Sequence, residues 1–404
     1  MQTDSDIVIA GGGLNGAALA LALAQAGFRV IVADAQAAMR QAAPDFDGRA
    51  YAMAAGSVRL LRAIGVWGEV VAHAQPILHI TVSQGRAGQG ADPGRLDFDH
   101  AELDDGPMGY MVEDRCLRTA LQGALAAMPG VTLLNGATAQ TQHPDAGGIA
   151  VGLADGQGLT ARLLVGADGR DSGTALRAGI TRSGRDYGQT AIVCAVAHDR
   201  PHGGTAHQMF LPQGPLAILP LTGNRSSIVW TETTARATDI MALDDPGFLD
   251  ALRPAFGSFL GQIALVGRRF AYPLTLSLAQ RIVAERVALV GDAAHGVHPL
   301  AGQGLNAGLR DVAALVDVLG AARQRGEDIG TGPVLARYAR WRGVDNGGLA
   351  AATDGFNLLF SNDNPVLRLG RGLGLAAVAA LPPLRRALMR EAAGLTGELP
   401  ALMR

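Results

Sequence analysis

The stretch DIVIAGGGLNGAALALALAQAGFRVIVAD, residues 6–34, constrains the fold more than any other part of this chain. Apolar residues 7–10 run straight into three glycines. Ala and Leu then dominate 17–26, Gly27 stands where a helix C-cap is expected, and RVIVAD returns as a second apolar strand. Strand, tight turn, helix and strand in this order make a Rossmann-like unit at the head of an α/β fold. Gly11, Gly13 and Gly16 fall in G-x-G-x-x-G register between strand and helix. They permit the turn, a close approach of backbone to a pyrophosphate, and close helix–strand packing; the helix N-terminus adds partial positive charge. Asp34 closes the second strand, where a carboxylate can accept ribose hydroxyls. The glycine pattern alone is weak, but strand, helix and acid in register predict a bound dinucleotide.

A second stretch, LVGDAAHGVHPLAGQGLNAGL at 289–309, narrows the ligand. It reads as a strand running into Gly-Asp and then a glycine-rich start of a helix, with no nucleophile among its residues. Asp292 can accept hydrogen bonds from a polyol chain, and Gly302, Gly304 and Asn306 open a helix whose positive end suits partial negative charge. A ligand that satisfies both helix N-termini is long, with adenosine at one end and an electron-accepting ring at the other. Reduced flavin carries negative charge near N1, so FAD fits, whereas a nicotinamide dinucleotide gives the second terminus nothing to stabilise.

Composition removes several alternatives. All 34 basic residues are Arg, which excludes lysine Schiff-base chemistry and the lysine of a phosphate-binding P-loop. A net charge of −2 argues against a nucleic-acid partner. Cys116 and Cys194 suggest no disulfide framework, as expected of a cytoplasmic protein. MQTDSD has no basic n-region, so no secretory leader is expected, and the late apolar patch LGLAAVAAL (373–381) is too short to span a bilayer. A peripheral contact with the inner face of the membrane stays open.

Along the chain, a helix is expected near 53–64 and another at 115–128, and LLVGADG (163–169) reads as a buried strand ending in Asp-Gly. The stretch 83–107 reads as loop and edge structure. From 187 to 275 the period becomes two, with QTAIVCAVAHD, LAILPL and SSIVWTET as antiparallel strands. RVALV (286–290) then restores the buried parallel pattern. The expected architecture is a discontinuous FAD-binding domain (1–75, 101–182 and 281–342), an inserted, mostly antiparallel β-sheet substrate domain (76–100 and 183–280) and C-terminal helices (343–404).

The combination of GGGLNG, DGRAYAMAAGSVRLLRAIGVW (47–67), LVGADG, YGQTAIV (187–193), GPLAILPL (214–221) and GDAAHGVHPLAGQGLNAGLRD (291–311) resembles the FAD-dependent hydroxylases of ubiquinone biosynthesis. These are the octaprenyl-phenol hydroxylase type, within the class A flavoprotein aromatic monooxygenases of the para-hydroxybenzoate hydroxylase fold. The resemblance implies hydroxylation of an aromatic ring, a prenylated phenol, by O2 through a flavin C4a-hydroperoxide. NAD(P)H or a protein electron donor reduces the flavin. It implies FAD contacts from Gly11, Gly13, Gly16, Asp34, Arg49, Asp114, Asp168, Asp292, Gly304, Leu305 and Asn306. Pro299, Gly302 and Gly304 form the flavin-edge loop, with no acid–base side chain and no metal. The chain departs from the family pattern at three places. Ala175 stands where an arginine follows Ser172, with Arg177 two residues later; Asp114 replaces an amide or arginine; and Met209 precedes Phe210 in place of arginine.

Other residues receive plainer readings. His295 and His298 have the spacing of a ligand pair but no third partner, and are expected to tie down their loop's own backbone. His202 and His207 are expected to be structural, and Trp230 to be sheet core. Tyr187 and Gln189 stay open between substrate contact and strand start. Arg385, Arg386 and Arg390 are expected on a solvated face, with an anionic membrane as the alternative. Competing functions are hydroxylation of a small soluble aromatic acid, flavin-dependent reduction of isoprenoid double bonds, and a non-catalytic FAD-containing partner in a ubiquinone-synthesis complex. Homo-oligomerisation also stays open. A small carboxylate would need an arginine aimed into the pocket, a prenyl tail an apolar path.

Overall fold

The structure, a computed structural model, describes residues 3–36, 46–88, 90–91, 95–296, 303–343 and 378–404. Along the chain the elements used below are β1 (Ile7–Ala10), α1 (Leu14–Gln25), β2 (Val30–Asp34), β3 (Ala50–Ala54), β4 (His79–Arg86), α2 (Asp114–Ala127), β5 (Val131–Asn135), β6 (Leu163–Gly166) and α3 (Gly173–Arg177). They continue with β7 (Arg182–His198), β8 (Thr205–Leu211), β9 (Gly214–Leu221), β10 (Arg225–Thr233), β11 (Ile263–Ala279), β12 (Val287–Leu289) and α4 (Gln303–Gln324).

β12, β6, β1, β2 and β5 lie side by side as a parallel sheet, with the short strand Val283–Ala284 antiparallel at its edge. Their unbroken apolar runs have a physical cause, because both faces of this sheet are covered. Ile7 and Ile9 of β1 face α1 and α4 in one core, while Val8 and Ala10 face the small antiparallel sheet of 139–161 in another. That small sheet, built on Ile149, Val151 and Leu159, is absent from the sequence reading.

The second large sheet runs β11, β7, β10, β9, β8, β4, antiparallel except for the parallel pair β8–β4. The stretch expected as loop and edge holds an edge strand, Leu96–Asp99, on β4. Helices Thr234–Ala242 and Asp245–Phe256 interrupt a region that sequence period assigned wholly to strands. They cover one sheet face, burying Phe248, Leu252 and Trp230. Their start signals were present and unused: Thr233 accepts from the Arg236 amide and Asp244 from the Gly247 amide. Trp230 is core, as expected, with its ring 6.3 Å from Phe248. No helix among the described residues is long and apolar enough to cross a membrane. Of the C-terminal region, a helix at Pro382–Ala392 is described.

Candidate functional site

Between β1 and α1 the glycines do three different jobs. Gly11 has φ +100°, and a Cβ there would sit 2.5 Å from the Ala167 carbonyl oxygen. A Cβ on Gly16 would overlap the Gly11 carbonyl, so this glycine lets α1 close on its own turn. Gly13 meets nothing within 4 Å, so its face is open. The amide of Gly12 donates to Asp34 Oδ2 at 3.0 Å and that of Gln36 to Oδ1 at 2.8 Å, which fixes the acid at the end of β2. A cleft of about 410 Å³ begins here, lined by Gly11–Gly13, Asp34, Arg118, Asp168 and Arg177 among others.

Asp168 lies in this cleft, but its carboxylate is occupied. It accepts from the Ser172 hydroxyl and, at 2.9 Å each, from the Thr174 amide and hydroxyl, so it shapes the start of α3. Ala175 is buried beneath, and Arg177, at the end of α3, lines the cleft. Asp114 and Arg49 are not among the residues that line it. Asp114 instead accepts from Tyr51 (2.7 Å) and Arg118 (3.0 Å), with Arg49 at 3.4 Å. Burial would raise its pKa, but the hydrogen bonds from Arg118 and Tyr51 hold it below the ordinary carboxylate value. Arg49 also pairs with Asp47 at 2.8 Å and lies over the Phe270 ring of β11.

The second loop is built from distant partners. Gly291, at φ +61°, and Gly308 leave room for the Asn15 side chain, which wedges α1 between them; its Oδ1 is buried with no partner. Arg182 of β7 donates to the carbonyls of Asp292 (3.0 Å) and Ala293. The Asp292 carboxylate accepts no hydrogen bond among the described residues. Asp311 of α4, wholly buried, accepts from the Gly291 amide (3.0 Å), His295 Nε2 (2.6 Å) and Arg342 (2.7 Å). His295 therefore ties its loop to a side chain of α4 and not to its own backbone as expected. Asn306 spends its amide on β3, accepting from the Ala54 amide at 2.9 Å and donating to the Ala52 carbonyl at 2.8 Å. Any contact it makes with a ligand in the loop falls to its main chain, as for Gly304 and Leu305 in the same first turn of α4. Pro299, Gly302 and His298 lie outside the described residues. Among the described residues no group of His, Cys, Asp or Glu is placed to hold a metal.

Sequence reasoning missed Arg118, Arg182, Asp311 and Arg342. Only Asp311 carried a signal, since it stands at helical spacing inside the motif that follows Asp292. The open face at Gly13, the Asp292 carboxylate, which accepts no hydrogen bond among the described residues, and the first-turn amides of α4 fit a long dinucleotide with a charge-accepting ring.

Strand register sorts the large sheet into two faces. Ile192, Met209, Leu216 and Trp230 share the helix-covered face. Met209 therefore packs beneath the two helices. The opposite face carries Ala191, Val193, Ala217, Val229 and Phe270, and continues into contacts with Ala50 and Ala52 of β3. Across 189–195, 206–210, 215–219, 227–233 and 270–272 this face holds no Asp, Glu, Arg or His; Arg225 stands at its rim, paired with Glu113 at 2.8 Å. Gln189 ties the β8–β9 turn through the Gln213 carbonyl at 2.8 Å, and Arg185 lies over the Tyr187 ring. His202 bonds the Leu221 and Gly223 carbonyls, a structural role, while burial lowers the His207 pKa beside Phe259.

Comparison with known proteins places this geometry. A family profile described as an FAD binding domain matches residues 4–331. The chain is 47% identical to the ubiquinone hydroxylase UbiL of Rhodospirillum rubrum, over 99% of this chain and 92% of that protein. It is 39% identical to the 3-demethoxyubiquinol 3-hydroxylase of Escherichia coli, covering 97% and 99%. It is 31% identical to the human mitochondrial ubiquinone biosynthesis monooxygenase COQ6, covering 96% and 92%. Among solved structures, the p-nitrophenol 4-monooxygenase of Pseudomonas putida superposes with a TM-score of 0.80 at 20% identity, over 98% of this chain and all of that one. That likeness concerns the fold.

Proposed function

This chain belongs to the FAD-binding-domain family of ubiquinone-biosynthesis hydroxylases, and from that premise we propose that it hydroxylates a phenol carrying a prenyl tail. It is an FAD-dependent aromatic-ring monooxygenase. Bound FAD supplies electron transfer and oxygen activation, with NAD(P)H or a protein donor as reductant.

The residues divide the remaining work. Gly11, Gly13, Gly16 and Asp34 receive the adenosine diphosphate end; Asp292 receives the ribityl chain; the first-turn amides at Gly304, Leu305 and Asn306 meet the ring. Asp168 shapes the cleft from below, and Asp114 holds Arg49 and Arg118. Residues 1–75, 101–182 and 281–342 form the cofactor half and 76–100 with 183–280 the substrate half. The observation that carries the substrate reading is the uncharged sheet face. The one cation described over it, Arg49 above Phe270, is already paired with Asp47 and Asp114, and the face's own Ala, Val and Phe side chains suit a neutral ring and an apolar tail while excluding water. Arg386 and Arg390 are exposed on the helix Pro382–Ala392, whereas Arg385 is engaged with Glu102 at 2.9 Å. A peripheral membrane contact and a place in a ubiquinone-synthesis complex belong to the same proposal, since a prenylated substrate resides in lipid.

The test begins with the purified protein: acid should release stoichiometric FAD. Oxygen-18 incorporation is then followed with a short-chain prenylated phenol and with 4-hydroxybenzoate. Label in the prenylated phenol supports the reading; label in 4-hydroxybenzoate alone overturns it.

A further inference from the structure

We propose that Arg118 and Arg177 together bind the diphosphate of the dinucleotide, with Asp114 positioning Arg118. The inference rests on the reading that the cleft beside Gly11–Gly13 holds the adenosine diphosphate half of FAD. Four charged side chains line that cleft: Asp34, Arg118, Asp168 and Arg177. The two acids are already engaged by the protein's own donors, Asp34 by the Gly12 and Gln36 amides and Asp168 by Ser172 and Thr174. The two cations keep donors to spare. Arg118 gives Nε and Nη2 to Asp114, at 3.3 and 3.0 Å, and keeps Nη1. Asp114 is itself held by Tyr51 and Arg49, so Arg118 is fixed in direction before any ligand arrives. Arg177 has no carboxylate within 4 Å among the described residues; it reaches only neutral oxygens, Gln142 Oε1 at 3.3 Å and Thr174 Oγ1 at 3.5 Å.

A half-buried guanidinium with no carboxylate within 4 Å among the described residues, beside a glycine turn and the N-terminus of α1, keeps donors for an anion. Burial accordingly lowers the Arg177 pKa. Planar guanidinium forks match phosphate oxygens in pairs, and two on different helices can share a diphosphate that neither neutralises alone. A Cβ on Gly173 would sit 2.7 Å from Arg177 Nη1, so that glycine keeps the arginine low over the cleft.

The experiment uses the full chain stripped of flavin, with ADP as probe in isothermal titration. Arg118→Gln and Arg177→Gln should each weaken ADP binding about 10- to 100-fold and flatten its dependence on salt. Arg177→Lys should recover part of the loss, because charge returns without the fork. Asp114→Asn should weaken ADP less than Arg118→Gln does. Thermal melting identifies any variant that fails to fold, for which the lysine replacement at the same position decides. Wild-type protein that binds ADP and FAD while both glutamine variants match it overturns this assignment alone. Wild-type protein that takes up neither ligand overturns the cofactor reading with it.

Discussion

The loop at 11–16 and the described parts of the second, 291–296 and 303–306, answer one proposed demand, a helix N-terminus offered to a cofactor, and they are held in opposite ways. The first is secured by backbone and near neighbours: Gly11 donates to the Ala33 carbonyl at 2.8 Å and Gly12 to Asp34. The second hangs on side chains from far along the chain, with Asp311 gripping Gly291 and His295, Arg182 gripping 292–293, and Asn306 gripping β3. A loop of the first kind tolerates loss of its ligand, since its scaffold is the sheet itself. A loop of the second kind is only as sound as the buried charges behind it.

Substitutions can break that contrast. Gly13→Val fills the one open position of the first loop and should abolish FAD binding while leaving the melting temperature of the stripped protein near wild type. A Gly13→Val protein purified with full flavin would remove the first loop from the site. Asp311→Ala should cost about 3–5 kcal/mol of stability, because it removes the buried carboxylate that Arg342 and His295 share. Unfolding in urea measures this, and a loss below 1 kcal/mol would mean that the second loop stands without its post. Asp292→Ala should leave stability unchanged and weaken FAD retention by about 1.5–3 kcal/mol, the worth of a charged hydrogen-bond acceptor. Equal flavin content in wild type and variant after gel filtration would count against the assignment.

The smallest effect is with pH. Burial raises the Asp311 pKa, but His295 and Arg342 overcome this and hold it at about 2, below its ordinary 3.8. A group depressed in the folded state stabilises above its unfolded pKa and loses that contribution as pH falls through the folded value. Stability of about 2 kcal/mol should therefore disappear between pH 4 and 2. The melting temperature of Asp311→Asn should fall less steeply over that range, and parallel curves would show that the carboxylate is not the titrating group.

This contrast also explains what was legible. In the first loop most requirements lie within a single βαβ unit, the Ala167 carbonyl against Gly11 excepted, so Gly11, Gly13, Gly16 and Asp34 stand at readable spacings. Four of the five parallel strands were readable because both faces are buried and each becomes a continuous apolar run; β5, partly exposed, was not read. The helices after β10 were not, because their amphipathic pattern is short and borders strands with strong period-two signals; the caps at Thr233 and Asp244 were the missed clue. In the second loop the motif was readable while its support was not. The pairing of Asp292 with Arg182 spans 110 residues and that of Asn306 with Ala54 spans 252, and no local pattern encodes such distances. The face on which Met209 lies was not legible either: it depends on register, and a shift of one residue reverses it.

The strand order carries a consequence for synthesis on the ribosome. β6 docks beside β1 early, yet its other neighbour, β12, emerges only after the whole of β7 to β11. While the nascent chain elongates, β6 therefore presents an unpaired parallel edge of the kind that recruits stray strands. The intervening strands β7 to β10 are antiparallel with short connections, so they can pair on their own schedule during that interval. Their prompt collapse shortens the delay before β12 closes the edge, and until Arg342 has followed, the buried post of the second loop lacks its arginine partner.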